Sequence, residues 1–425
     1  MSKASRAAGA ACVLTLAVCA AACLRYALLG SLTALAAALA VHALLALTVR
    51  LAWRLRFGAL LAAAGIGLIV LGGCASYGEL TPWKLAYWLA AAADIAAGLL
   101  LTVYRPWPPR QAWAGQRVPA GVLALCLALA LGGWGAAALR DRGLVPGAAG
   151  AVPTLWAVPR CYEQPGDRQG RVETFSYTTR AYATDGRTVT KQACVYLPYG
   201  YEADGAYNIL YLLHGTGEDQ NNWLVGHPEN KALLDAMIAA GQIDPLIVVT
   251  PTWYTGQDCP DDPDRLTYAF AEELRQDLIP AVESQYTGFA ASTDPADLQA
   301  SRQHRAFAGL SRGAATLFRS ALEKNLDLFA WYGAFSGSFL DWEEWRSGAQ
   351  SAALAEYPIS YLYMTSGSFD FCLPGQLKDY RTLLAEEPRL IQNVNTSFDV
   401  FPMRYHSMGS WHLALYNFLQ KIFIT

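Results

Sequence analysis

Charge is scarce in this chain, and concentrated positive charge is missing. Asp, Glu, Lys and Arg together make up 16 % of the 425 residues, the formal net charge is −3, and the cations stand singly. This excludes the basic footprint of a nucleic-acid-binding protein. No group of His, Cys, Asp and Glu has metal-ligand spacing, and no Gly-rich phosphate loop of the P-loop or dinucleotide type occurs. Neither a metal nor a nucleotide cofactor is expected. The shortage of charge is also uneven. Residues 1 to about 142 are dominated by Ala and Leu, whereas the remainder is mixed, aromatic-rich and acidic in balance.

The first third holds five apolar stretches, Ala7 to Leu24, Tyr26 to Val49, Phe57 to Tyr77, Leu85 to Tyr104 and Val118 to Leu139, four of them without Asp, Glu, Lys or Arg. Each is about long enough to cross a hydrocarbon core of roughly 30 Å as a helix. A signal peptide would supply only one such stretch, and a soluble bundle would need a charged outer face. Lys3 and Arg6 precede the first stretch. Arg50, Arg54 and Arg56 separate the second from the third, and Arg105, Arg110 and Arg117 the fourth from the fifth. The alternate connections hold only Arg25 and, near Glu79, Lys84. The positive-inside bias then predicts a multi-pass protein of the cell membrane, with a cytoplasmic N-terminus and everything after Leu139 outside. Trp83, Trp88, Trp107 and Trp113 near the stretch ends suit interfacial anchors. Asp94 within the fourth stretch is read either as a functional intramembrane carboxylate, with His42 as partner, or as a buried hydrogen-bonded group.

The expected organisation is therefore an α-helical membrane bundle over residues 1–142, a Gly/Pro-rich linker over 143–170 and an extracytoplasmic α/β domain over 171–425. In that domain Val172 to Thr179 and Lys191 to Leu197 alternate like half-buried strands. Asn208 to Leu213 and Leu246 to Thr250 are continuous apolar runs typical of central parallel strands. Helical spacing follows at Glu229 to Ile243 and Leu266 to Tyr286, and a closing helix at Trp411 to Ile424. Further strands are expected at Ala306 to Leu310, Phe329 to Phe335, Tyr361 to Thr365 and Phe398 to Met403. Alternation of this kind predicts a mostly parallel sheet with helices on both faces.

Between the strand Ala306 to Leu310 and a helix from Ala314 to Glu323 lies Gly309-Leu310-Ser311-Arg312-Gly313. A strand reversing into a helix through G-x-S-x-G is a nucleophile elbow, its glycines removing Cβ atoms that would clash in so tight a turn. Chemistry in such sheets gathers at the carboxyl ends of strands. Asp370 follows Tyr361 to Thr365, and His406 follows Phe398 to Met403, giving the order Ser, Asp, His of α/β-hydrolases. His304, His214, His227 and His412 compete for the role of base, and Asp341 for that of acid. Strand Asn208 to Leu213 ends in His214-Gly215-Thr216-Gly217, a turn that can aim backbone N–H groups at a developing oxyanion. Thr216 and Arg312 are the expected donors. His214 and Gly215 are further candidate substrate contacts. Trp223, Trp253 and Tyr254 follow strand ends, as an aromatic platform or as packing.

The stretches VYLPYGY (195–201), NILYLLHGTGEDQNNW (208–223), PLIVVTPTWY (245–254), DLIPAVESQY (277–286), AFAGLSRGAA (306–315) and HSMGSWHLALYNFL (406–419) resemble the putative esterase family. That family includes feruloyl and acetylxylan esterases of carbohydrate esterase family one, S-formylglutathione hydrolase and the antigen 85 mycolyltransferases. The resemblance spans about residues 170–425 and excludes the apolar third. It implies a serine carboxylic-ester hydrolase with nucleophile Ser311, base His406 and acid Asp370, acting on feruloyl- or acetyl-type esters of carbohydrate. An acyltransferase to a cell-envelope sugar, and a noncatalytic glycan-binding membrane protein, are the alternatives. Two positions depart from the family pattern. Arg312 stands where Met or Gln is usual, and Ala314 replaces a common glycine. Arg312 either presents a cation to an anionic substrate or pairs with a carboxylate such as Glu218. Four of the nine cysteines lie outside the apolar stretches. In an oxidising compartment the expected bridges are Cys259 with Cys372 and Cys161 with Cys194.

Overall fold

The computed structural model describes residues 3–55, 58–74, 81–104, 154–256 and 263–424. The fifth apolar stretch and residues 143–153 of the expected linker fall outside the described residues. Two compact units result: residues 1–146 with the short segments 367–374 and 400–406, and the rest of the chain.

Among its described residues the first unit contains four helices, α1 (Lys3–Leu28), α2 (Leu32–Leu55), α3 (Gly58–Cys74) and α4 (Pro82–Tyr104). Three segments of them, Arg6–Leu28, Leu32–Arg54 and Pro82–Val103, are long and apolar enough to cross a membrane, and Gly58–Cys74 is shorter. Small side chains let the helices close up. A Cβ at Gly58 would lie 2.1 Å from the Gly98 carbonyl oxygen, and one at Gly98 would lie 2.7 Å from that of Gly58. This is the backbone-to-backbone approach that glycine permits between apolar helices. Large apolar side chains such as Val13, Leu28, Ile66 and Val103 point outward and stay exposed. Asp94 is fully buried and accepts from Thr15 Oγ1 at 2.7 Å. His42 is not its partner: the imidazole Nε2 lies 2.7 Å from Tyr87 Oη and Nδ1 lies 2.7 Å from the Ala38 carbonyl. The Ala38 carbonyl one turn back on α2 and the Tyr87 phenol on α4 occupy both ring nitrogens.

The second unit is built on an eight-stranded sheet of order β1-β2-β4-β3-β5-β6-β7-β8. The strands are β1 (Arg171–Arg180), β2 (Thr188–Leu197), β3 (Asn208–Leu213), β4 (Leu246–Thr250), β5 (Arg305–Leu310), β6 (Trp331–Phe335), β7 (Tyr361–Gly367) and β8 (Thr396–Phe401). From β4 to β7 all pairings are parallel, whereas β2 is antiparallel to both β1 and β4. β8 rises beside β7 in the same direction, since Leu362 N–H donates to Asn395 O and Thr365 Oγ1 to Asp399 O. Every residue of β4, β5 and β6 is buried. Neighbours along a strand point to opposite faces, so both faces of this part of the sheet are covered. β1 alternates exposed and buried residues from Phe175 onward, as an outer strand does.

Part of the expected linker belongs to this domain. Thr154 Oγ1 donates to Asp399 Oδ2 at 2.5 Å, and Leu155 N–H to Asn417 Oδ1 at 2.8 Å. Among the described residues the expected Cys161–Cys194 bridge is not formed. Cys161, Cys194 and Cys372 are free thiols, and Cys259 lies outside the described residues. Cys194 is buried in β2 with its thiol donating to Asn221 Oδ1 at 3.4 Å, whereas Cys161 is exposed in a single helical turn.

Glu323 is fully buried, and neither carboxyl oxygen has a partner among the described residues. Burial, opposed by nearby Lys324 and reinforced by Glu344, pushes this carboxyl up to about 8 from its ordinary 4.5. The folded chain therefore keeps a proton that the unfolded chain releases above pH 4.5. Stability from this group is greatest below that pH and is lost as pH rises toward about 8, at about 1.4 kcal/mol per pH unit. Glu323→Gln, which mimics the protonated form, should match the parent melting temperature near about pH 4 and exceed it at about pH 8. A constant difference between the two melting curves across that range would contradict this assignment.

Candidate active site

β5 delivers the chain to Ser311, whose backbone sits at φ 52° and ψ −115° immediately before the helix Arg312–Thr316. Only about a few per cent of non-glycine residues adopt a positive φ, and it costs of order 1 kcal/mol, so surrounding contacts must hold it. Here they do. The Ser311 N–H donates to Phe335 O at the end of β6 at 2.8 Å. A Cβ at Gly309 would lie 2.5 Å from the Gly313 carbonyl carbon, and one at Gly313 would lie 2.6 Å from His214 O. Gly337, which the sequence did not single out, closes the other side. A Cβ there would lie 2.3 Å from Ser311 O.

The turn after β3 meets the elbow. A Cβ at Gly215 would lie 3.5 Å from Ser311 Cβ. Gly215 N–H donates to Glu218 Oε2 at 2.6 Å, and Gly217 N–H to Tyr254 Oη at 3.1 Å. Among the described residues the N–H groups of Thr216 and Arg312 make no protein hydrogen bond. Two anchored N–H groups thus flank a free one, and a second free one starts the helix after Ser311.

Asp370 and His406 lie in the loops that follow β7 and β8. These loops are laced together: Ser368 N–H donates to Phe401 O, Phe369 N–H to Arg404 O, and Met403 N–H to Ser368 Oγ, each at 2.9 Å. His406 Nδ1 lies 3.0 Å from Asp370 Oδ1, which also accepts from Cys372 N–H at 2.9 Å. The Asp370 side chain is fully buried and that of His406 is 10 % exposed. The Phe371 ring lies 4.3 Å from the imidazole, centroid to centroid. A buried carboxylate bonded to Nδ1 leaves Nε2 as the nitrogen able to take a proton from a hydroxyl.

The rival bases are occupied elsewhere. His214 is buried, stacked 4.1 Å from Trp253, with Nε2 2.8 Å from Thr252 Oγ1. Burial pushes its imidazole down to about 4, so it is neutral. His304 stacks on Phe289 at the start of β5, His412 lies 2.7 Å from Asn230 Oδ1, and His227 pairs with Glu229. Asp341, the rival acid, caps the helix Trp342–Ser347 through Glu343 N–H and Glu344 N–H. Trp223 and Trp253 are core residues, Trp223 donating to Leu213 O at 2.9 Å. Tyr254 is half-buried and serves the turn as an acceptor. Arg312 pairs with Asp264 rather than Glu218, whose carboxylate is taken by Gly215 and Asn222. No sequence signal marks Asp264, which lies 48 residues before its partner.

The chain matches the family model described as Putative esterase over residues 189–420. It is 39 % identical over 181 residues to endo-1,4-beta-xylanase Y of Acetivibrio thermocellus, and 32 % identical over 153 residues to an endo-1,4-beta-xylanase/feruloyl esterase of Xylanibacter ruminicola. Those stretches are 43 % and 34 % of this chain but 15 % and 19 % of the two relatives, so it corresponds to a small part of their length. Among solved structures it is similar to a serine-to-alanine mutant of the feruloyl esterase module from Clostridium thermocellum complexed with sinapinate. The TM-score is 0.55 at 30 % identity, covering 63 % of this chain and 93 % of that one. A ferulic acid esterase of the anaerobic fungus Anaeromyces mucronatus shares the fold, with TM-score 0.50 at 20 % identity over 64 % of this chain and 98 % of the other.

Proposed function

The chain belongs to the putative esterase family, and from that premise we propose that it is a membrane-anchored serine esterase working outside the cytoplasm on feruloyl- or acetyl-type esters of carbohydrate. The observation that carries this reading is the strained Ser311 between its two glycines at the end of β5, with a bonded Asp370 and His406 pair supplied by the loops after β7 and β8 of the same parallel sheet. Ligand chemistry on such sheets concentrates where parallel strands end.

The mechanism is two-step acyl transfer. His406 Nε2 removes the Ser311 hydroxyl proton as Oγ attacks the ester carbonyl carbon. The tetrahedral oxyanion is held by the Arg312 and Thr216 N–H groups, and Asp370 fixes the imidazole tautomer and steadies its positive charge. Collapse breaks the ester C–O bond, the leaving alcohol takes the proton from His406, and water repeats the sequence on the acyl-enzyme. A sugar hydroxyl in place of that water would give transfer instead of hydrolysis.

A feruloyl-type substrate is supported by the 30 % identity to a feruloyl esterase module. Membrane anchoring is supported by the three apolar helices and their outward-facing Val and Leu side chains. The side on which the catalytic domain emerges follows from the spacing of Lys3, Arg6, Arg50, Arg54 and Arg105. One experiment tests location and chemistry together. A membrane-impermeant fluorophosphonate applied to intact cells should label the chain on Ser311. Labelling only after lysis would reverse the orientation, and no labelling in either state would remove the esterase reading in favour of a glycan-binding protein.

A further inference from the structure

The Arg312 side chain does something that a triad does not require. The backbone of this residue starts the helix beside the nucleophile, yet its guanidinium turns back to the loop after β3, where Nε donates to Thr216 Oγ1 at 2.9 Å. Thr216 is the residue whose N–H is left free between the anchored Gly215 and Gly217. One residue therefore carries one oxyanion donor and grips the residue that carries the other.

The far end of the guanidinium is fixed as well. Nη1 forms an ion pair with Asp264, and Arg319 Nη1 shares the same carboxylate at 3.0 Å. Arg319 in turn donates to Thr267 Oγ1 at 2.8 Å and lies 4.6 Å over the Tyr268 ring. Burial raises the Asp264 carboxyl, but hydrogen bonding and charge from Arg319 and Arg312 outweigh it and hold the group below the usual carboxylate range. Asp264 is thus ionised at neutral pH. The chain Thr216, Arg312, Asp264, Arg319, Thr267 ties the oxyanion turn to the helix Pro263–Glu273.

Resting on the esterase reading, we propose that the Arg312 side chain, held by Asp264, is a positioning residue that sets the spacing between the two oxyanion donors. Donors of this kind stabilise a transition state only if they are preorganised, and a displacement of about 1 Å can cost about 100-fold in rate. Arginine suits the task because its rigid planar fork serves two acceptors in fixed directions, which a lysine ammonium does not. The contact with Asp264 also turns the cation away from any role as a substrate anchor.

The test is a double-mutant cycle on the full-length protein with p-nitrophenyl acetate. Arg312→Met should lower kcat by about 10- to 100-fold with KM within about twofold. Thr216→Val, which exchanges a hydroxyl for a methyl in an exposed turn, should do the same and keeps the test valid if Arg312→Met melts early. The double variant should be no worse than the worse single one, because both cut the same link. The proposal is overturned by an Arg312→Met enzyme within about twofold of the parent, by losses that multiply in the double variant, or by a loss confined to KM, which would mean direct substrate contact. In each of those cases an inactive Ser311→Ala control leaves the esterase reading standing. Turnover surviving in that control overturns both.

Discussion

Ser311→Ala is expected to lower kcat on p-nitrophenyl acetate by about 10⁴- to 10⁶-fold with the melting temperature unchanged. Folding should not suffer, because the contacts that hold the elbow are made by backbone atoms. The Ser311 N–H reaches Phe335 O, and Gly337 packs on Ser311 O, both indifferent to the side chain. Alanine inherits the same φ at no greater steric cost than serine. What disappears is the oxygen proposed to form the acyl-enzyme, while the unbonded N–H groups of Thr216 and Arg312 remain. Some residual rate enhancement over water should therefore persist. A variant that turned over at the parent rate would show that the chemistry lies elsewhere on the chain.

Asp370→Asn should lower kcat by about 10⁴-fold, and the comparison that gives this number meaning is Asp341→Ala. Asp370 Oδ1 accepts from both His406 Nδ1 and Cys372 N–H. An amide that offers its NH₂ to Nδ1 would favour the tautomer with the proton on Nε2, leaving no lone pair to receive the serine proton. Asp341, by contrast, accepts from Glu343 and Glu344 N–H at a helix start. Loss of such a cap costs about 1 kcal/mol of stability and should leave turnover within about twofold. If Asp341→Ala were the inactive variant and Asp370→Asn the active one, the acid would have been assigned to the wrong loop.

The parts of this molecule that a single sequence reveals are those where local chemistry dictates one answer. β3 and β4 begin and end where the sequence pattern places them, because a strand buried on both faces is apolar along nearly its whole length, with polar residues only at its ends. Ser311 was legible for a similar reason: the two flanking glycines are demanded by backbone clashes within five residues. Elsewhere the answer depends on distant partners. β8 ends at Phe401, two residues before the expected Met403, which takes φ 59° as the chain swings toward Arg404. The expected helices Leu266 to Tyr286 and Ala314 to Glu323 each contain a wider turn, Leu274–Leu278 and Leu317–Leu322, that periodicity alone does not encode. The partners of Arg312 and His42 were misjudged because nothing in the chain near Asp264 or Tyr87 announces them. The cysteines misled for the opposite reason: an even count outside the apolar stretches suggested pairing, while the strand turned Cys194 toward Asn221.

The outer strand β1 bears on how copies of this protein behave when crowded. An unpaired strand margin is a template on which a second chain can add its own strand, the first step toward aggregates. Along β1 the side chains of Arg171, Glu173 and Arg180 place charges at both ends, and Arg171 and Glu173 bond each other at 2.6 Å. Charges so placed discourage strand recruitment, so crowded copies of the chain can each keep the free edge of β1 to themselves.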